Sequence, residues 1–98
     1  MMMMITFNKP ITVVCRMNRQ GDINPFKFRL KEAGCEARTC YIASVQQVKY
    51  GKHYDEEAIT YECMTEMDGE EVACNLKYII DTRVWLLHQL NSTIGIAI

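Results

Sequence analysis

Chemistry in this 98-residue chain would have to start from its two histidines, His53 and His88. An imidazole becomes a useful base or ligand when a carboxylate orients it. Alternating residues around His88 line up Glu62, Asn75 and His88 across three adjacent strands, as one polar row. No nucleophile joins that row, because Cys63 and Cys74 alternate to the opposite face. Polar rows are also ordinary on solvated sheets. An enzyme centred on His88 is therefore the least favoured reading, and no catalytic assignment is made. His53 is followed by Asp55, Glu56 and Glu57. One imidazole and three carboxylates are weak ligands for a hard or borderline cation. The spacing is not that of a calcium loop, and a solvated acidic loop accounts for it. No metal and no cofactor is expected.

Charge is the second feature. The net charge of −1 hides a split. Residues 1–52 carry nine Lys/Arg against three Asp/Glu, and residues 53–98 carry two against nine. Arg16, Lys27, Arg29 and Lys31 project from one face of the first hairpin, where phosphates could meet them. A reader of single strands also needs exposed aromatics for stacking. The register sends Phe26 and Phe28 inward and leaves only Tyr41. Nucleic-acid binding is thus the alternative function. A solvated strand face, or pairing with the acidic half, explains the same charges.

Five cysteines occur: Cys15, Cys35, Cys40, Cys63 and Cys74. None forms a CxxC pair, so structural zinc is not indicated. Reduced thiols in a cytoplasmic protein are expected. Met1–Phe7 holds six apolar residues and no positive charge but is too short for a signal peptide or a span, and no later run reaches membrane length.

Apolar residues are 49% and charged residues 23% of the chain. These values describe one globular domain, 1–98, with a core over about 5–90 and a tail over 91–98. They exclude a two-domain enzyme, a disordered chain and a uniformly basic binder. The dominant pattern is short alternating runs between turn residues. Asp68-Gly69 marks a tight hairpin. Counting outward pairs Thr65 with Val72, Cys63 with Cys74, Tyr61 with Leu76 and Ile59 with Tyr78. A second hairpin bends at Arg19–Asp22 and pairs Cys15 with Phe26 and Val13 with Phe28. A strand over Thr39–Val48 carries a bulge near Ala43-Ser44. Ile42, Val45 and Val48 recur at threes, so a short helix near 42–50 is the alternative. The last strand, Val84–Leu90, sets Trp85 beside Tyr78 and His88 beside Asn75. The fold class is all-β: a small antiparallel meander of about five to six strands, curled into a barrel or half-barrel.

The run Gly21-x-x-x-Pro25-x-x-Phe28-Arg29, the apolar strand Tyr41–Val45, and the Asp68-Gly69 hairpin followed by Trp85-x-Leu87 resemble a family of small uncharacterised bacterial all-β domains. The resemblance spans roughly residues 10–90 and implies fold more than function. Some such domains accompany DNA-repair polymerases. One more feature points to association. The sheet face opposite the core retains Met64, Ile79, Val84, Leu86 and Leu90, which is apolar for a solvated face. Either the barrel or tail covers it, or a second copy does. The leading reading is a non-enzymatic interaction or accessory module, with a homodimer or another protein as partner and no membrane association.

Overall fold

The computed structural model describes residues 3–31, 36–67 and 69–92, so Cys35, Asp68 and the tail beyond 92 lie outside the described residues. Six strands follow in chain order: β1 Met3–Met17, β2 Ile23–Leu30, β3 Arg38–His53, β4 Glu56–Met67, β5 Glu70–Ile79 and β6 Val84–Ser92. Each pairs antiparallel with the next, and β6 returns to β1 to close a barrel. Closure removes the two outermost sheet edges. No helix occurs among the described residues, so none is long and apolar enough to cross a membrane.

The β4–β5 hairpin has the register that its alternation dictates, with Thr65 opposite Val72, Cys63 opposite Cys74, Tyr61 opposite Leu76 and Ile59 opposite Tyr78. A one-residue slip would turn this whole set toward solvent. Gly69, in the turn, has φ 81°, a conformation that glycine adopts without a Cβ clash. The barrel interior is filled by side chains, as expected at this strand number. Phe28, Leu30, Leu76, Leu87 and Leu90 are fully buried in it, with Trp85 packed between Tyr61 and Tyr78. Thr65 is the one buried polar residue among those described, and its hydroxyl donates to the Tyr41 carbonyl at 2.8 Å. Cys63 and Cys74 face each other as free thiols. The Cys63 side chain and burial together push the Cys74 thiol up, so it stays protonated.

Bulges decide the rest. Residues 42–50 are strand, not helix, and β3 runs on to His53. The register shifts between Ile42 and Ser44, and again between Val45 and Gln47. Each shift inserts one residue between inward positions. Ile42, Val45 and Val48 therefore all face β4's inward residues Thr65, Cys63 and Tyr61. Two bulges in succession turn a period of two into a period of three, which imitates a helix.

A third bulge lies in β6. The ladder shifts after Asn75, so Asn75 pairs with Gln89 and Cys74 with Leu90. Leu90 therefore points inward and is 1% exposed, contrary to the outward position expected from simple alternation. Ile79 and Leu86 do lie on the outer face, but they are buried there with Ala58 in a second small cluster. Of the five residues expected to await a second copy, only Met64 and Val84 retain appreciable exposure. Most of the apolar residues expected on that face are thus buried within the chain.

Candidate nucleic-acid interface

The outer face of β1–β2–β3 departs from the expected register at one point, and that point makes the site. Val13 faces Phe28 and Val14 faces Lys27, but Cys15 then faces Pro25. Phe26 is the extra residue of a bulge. Pro25 has no N–H to give to a ladder, so a bulge beside it sacrifices little pairing. Pro25 takes the buried place, and Phe26 is excluded from the core. The inward position expected for Phe26 is thus corrected. Its ring lies on the outer surface with the Arg16 guanidinium over it, 4.0 Å from the centroid.

Around that ring a ladder of cations and aromatics assembles. Phe26 meets Tyr41 edge-on at 6.1 Å. The Lys27 ammonium lies 5.9 Å from the Phe26 centroid and 5.6 Å from that of Tyr41. Tyr41 is 52% exposed. The contacts hold the rings by cation–π attraction; Tyr41 stays open to solvent, while Phe26 is half-buried beneath the Arg16 guanidinium. Down the same strand, Arg29 pairs in register with Thr12 on one side and Thr39 on the other. Lys31 follows immediately after β2. There the Lys9 ammonium, which sequence reasoning overlooked, donates to the Lys31 carbonyl. Two surface depressions of about 550 and 240 Å³ share Thr12 and Arg29, so the track is continuous from Lys9 to Lys27.

Spacing and boundary both suit a polyanion. Lys27, Arg29 and Lys31 are alternate residues, about 6.7 Å apart along an extended chain. That is close to the phosphate repeat of an extended single strand. Beyond Tyr41 the sheet turns acidic, with Glu66 opposite Tyr41 and Glu71 opposite Glu66. Glu62 is tied to Lys49 at 2.7 Å. The acids would repel a phosphate chain that strayed across β4 and so confine it to β1–β3.

The other sequence candidates do not assemble. The β6 bulge puts Gln89, not His88, beside Asn75, and the two amides bond at 2.9 Å. The row Glu62–Asn75–His88 is therefore broken. His88 Nδ1 instead bonds to the Asn8 carboxamide oxygen, and its ring meets the His53 ring at 5.9 Å. His53 faces the Lys77 ammonium at 3.3 Å, a poor neighbour for a cation. Among the described residues no three His, Cys, Asp or Glu side chains gather as a metal site, so His53, Asp55, Glu56 and Glu57 do not form one.

The histidine pair does set a pH response. Burial first, then the Lys77 ammonium, hold both imidazoles below the ordinary histidine range; Glu56 partly offsets this for His53, while His53 adds to it for His88. As pH falls through about 6.5, the unfolded chain takes up these protons before the folded one. Stability is thus full above that pH and declines below it. Urea midpoints measured from pH 7.5 to 5 should fall, and the double variant His53→Gln/His88→Gln should show a flatter profile over the same range.

Comparison of the chain with protein-family models, with curated proteins and with solved structures returned no match.

Proposed function

We propose that this chain is a non-enzymatic module that binds single-stranded nucleic acid along β2. The observation that carries the reading is the Phe26 bulge. It places an aromatic ring between Arg16 and Lys27, next to the exposed Tyr41. Cations alone would describe a solvated strand face. Cations interleaved with one exposed ring, Tyr41, and one half-buried ring, Phe26, that carries the Arg16 guanidinium match what unpaired bases require, since each base offers a flat face to stack on a ring or a guanidinium plane and each link offers a phosphate. A protein partner fits less well, because three of the five apolar residues expected for one, Ile79, Leu86 and Leu90, are buried in the folded chain.

The test is a fluorescence-anisotropy titration of a labelled ten-nucleotide oligo-dT across a salt series. Neutralisation of about four phosphates by Arg16, Lys27, Arg29 and Lys31 predicts a log–log salt slope of about −2 to −3 for a single strand. The matching duplex should bind more weakly, because its bases are already stacked on one another. Absence of binding at 50 mM salt, or a slope near zero, would sink the reading.

A further inference from the structure

Above the Lys27–Tyr41 pair, β2 and β3 part. Their ladder runs only from Leu30–Arg38 to Lys27–Tyr41, whereas β3 stays paired to β4 as far as His53. The two bulges of β3 swing it aside at that level. A cavity of about 390 Å³ opens in the gap. Ile23, Val48 and Ile59 give it apolar walls, and the Tyr50 and Tyr61 rings give it flat ones. Tyr61 is fixed, its hydroxyl donating to the Ile23 carbonyl at 2.8 Å. Tyr50 is 75% exposed at the cavity's edge. Val48 and Tyr50 lie where β3 has no strand partner on the β2 side, so alternate backbone N–H and C=O groups there point away from β4 toward the gap.

The rim is polar and oriented. Asn18 Oδ1 accepts from the backbone N–H of Gln20 and of Asp22, at 3.0 and 2.9 Å. Its amide donates to Asp22 Oδ2 at 3.1 Å, which leaves Asp22 Oδ1 for a donor from outside. The cavity also adjoins the cationic track. Asn24 lines it, and Asn24 is the register partner of Arg16. A strand lying along β2 would reach this opening where the phosphate contacts end.

We propose that this cavity takes one unstacked guanine base. The part of the inference that concerns a bound strand rests on the nucleic-acid reading of the track. A half-open cavity of this size, with two tyrosines in its lining, has room for one flat heterocycle. The carboxylate at its rim then selects among the bases. Guanine offers adjacent N1–H and N2–H donors on one edge, which Asp22 accepts together, one at Oδ1 and one at the second lone pair of Oδ2 beside the Asn18 amide. Adenine and cytosine set a ring acceptor beside their amino group, and thymine flanks its single N–H with two carbonyls. Each of those would turn a lone pair toward Asp22.

The test uses four ten-nucleotide oligo-dT strands carrying one central dG, dA, dC or dT, together with free guanosine and adenosine monophosphates. Trp85 is the only tryptophan and lies 5.4 Å from Tyr61, so its emission reports on filling of the cavity. The dG strand should bind about tenfold tighter than the others. Asp22→Asn, which keeps an acceptor for Asn18, should erase that preference while leaving the oligo-dT affinity intact. Tyr50→Ala should weaken the dG strand alone. Equal binding of all four strands, unchanged in Asp22→Asn, overturns the base site and leaves the track standing. Quenching of Trp85 by guanosine monophosphate without binding of any strand supports the base site and overturns the track. Silence in both arms overturns both.

Discussion

Reversing two charges, in Lys27→Glu/Arg29→Glu, should lower the affinity for single-stranded oligo-dT by about a hundredfold or more at 50 mM salt. The double variant removes two phosphate contacts and installs two repulsions in the middle of the track. Each lost contact should also shrink the salt slope by about 0.7. Both side chains stand on the outer sheet face, Arg29 exposed and Lys27 half-buried, and neither belongs to the core, so circular dichroism and the melting temperature should hardly move. Phe26→Ala tests the aromatic half of the same idea. Loss of one stacking partner costs about 1–3 kcal/mol per base, so affinity should fall by about 5- to 150-fold while the salt slope stays constant. That contrast separates the two contributions. If Phe26→Ala binds like the parent, the ring is only a prop for Arg16. If the charge reversal does, the track is a solvated face.

The second large effect concerns stability. Leu90→Ala should cost about 2–4 kcal/mol, because a leucine fully enclosed in the core leaves a cavity that neighbours fill only partly. Against a total of about 5–15 kcal/mol for a domain of this kind, that is a severe loss. It should lower the melting temperature by roughly 10–20 °C. Val84→Ala, at an exposed position of the same strand, is the internal control and should change stability by under about 1 kcal/mol. The comparison decides the β6 bulge directly. A leucine that faced outward, as unbroken alternation would have it, could be truncated at little cost. Equal, small losses in the two variants would place Leu90 on the surface.

The legible parts of this fold are those where the chain alternates without interruption. The Asp68-Gly69 signal and the run of Ile59, Tyr61, Cys63 and Thr65 against Val72, Cys74, Leu76 and Tyr78 fix one hairpin residue by residue. What alternation cannot carry is an inserted residue. Every misplaced side chain traces to a bulge: Phe26 beside Pro25, Leu90 after His88-Gln89, and the helix-like threes of Ile42, Val45 and Val48. Two of these left a trace. A proline inside a strand is a reason to expect a local break in pairing, and the Ala43-Ser44 irregularity is visible as a broken pattern. The β6 bulge left none, because Leu86, Leu87 and Leu90 permit either phase. The basic half of the candidate site was legible as charge. Its aromatic half was not, since it depends on which way one bulged residue turns. The cavity between β2 and β3 was hidden for a further reason: it arises from two strands separating, and no residue type announces that.

Closure by β1 and β6 has a kinetic consequence. It joins Met3 to Ser92, the two ends of the described chain. The β4–β5 hairpin can form from local sequence alone, but the barrel is complete only after the most distant pairing among the described residues. Contacts of such wide sequence separation place small all-β domains in the millisecond-to-second range of folding times, well behind helical bundles of equal size. Until the last strand docks, the free sides of β1 and β6 are both open to other chains. The seam that gives the finished barrel its closed wall is therefore the step at which concentration, temperature and chaperone supply decide between a folded molecule and an aggregate.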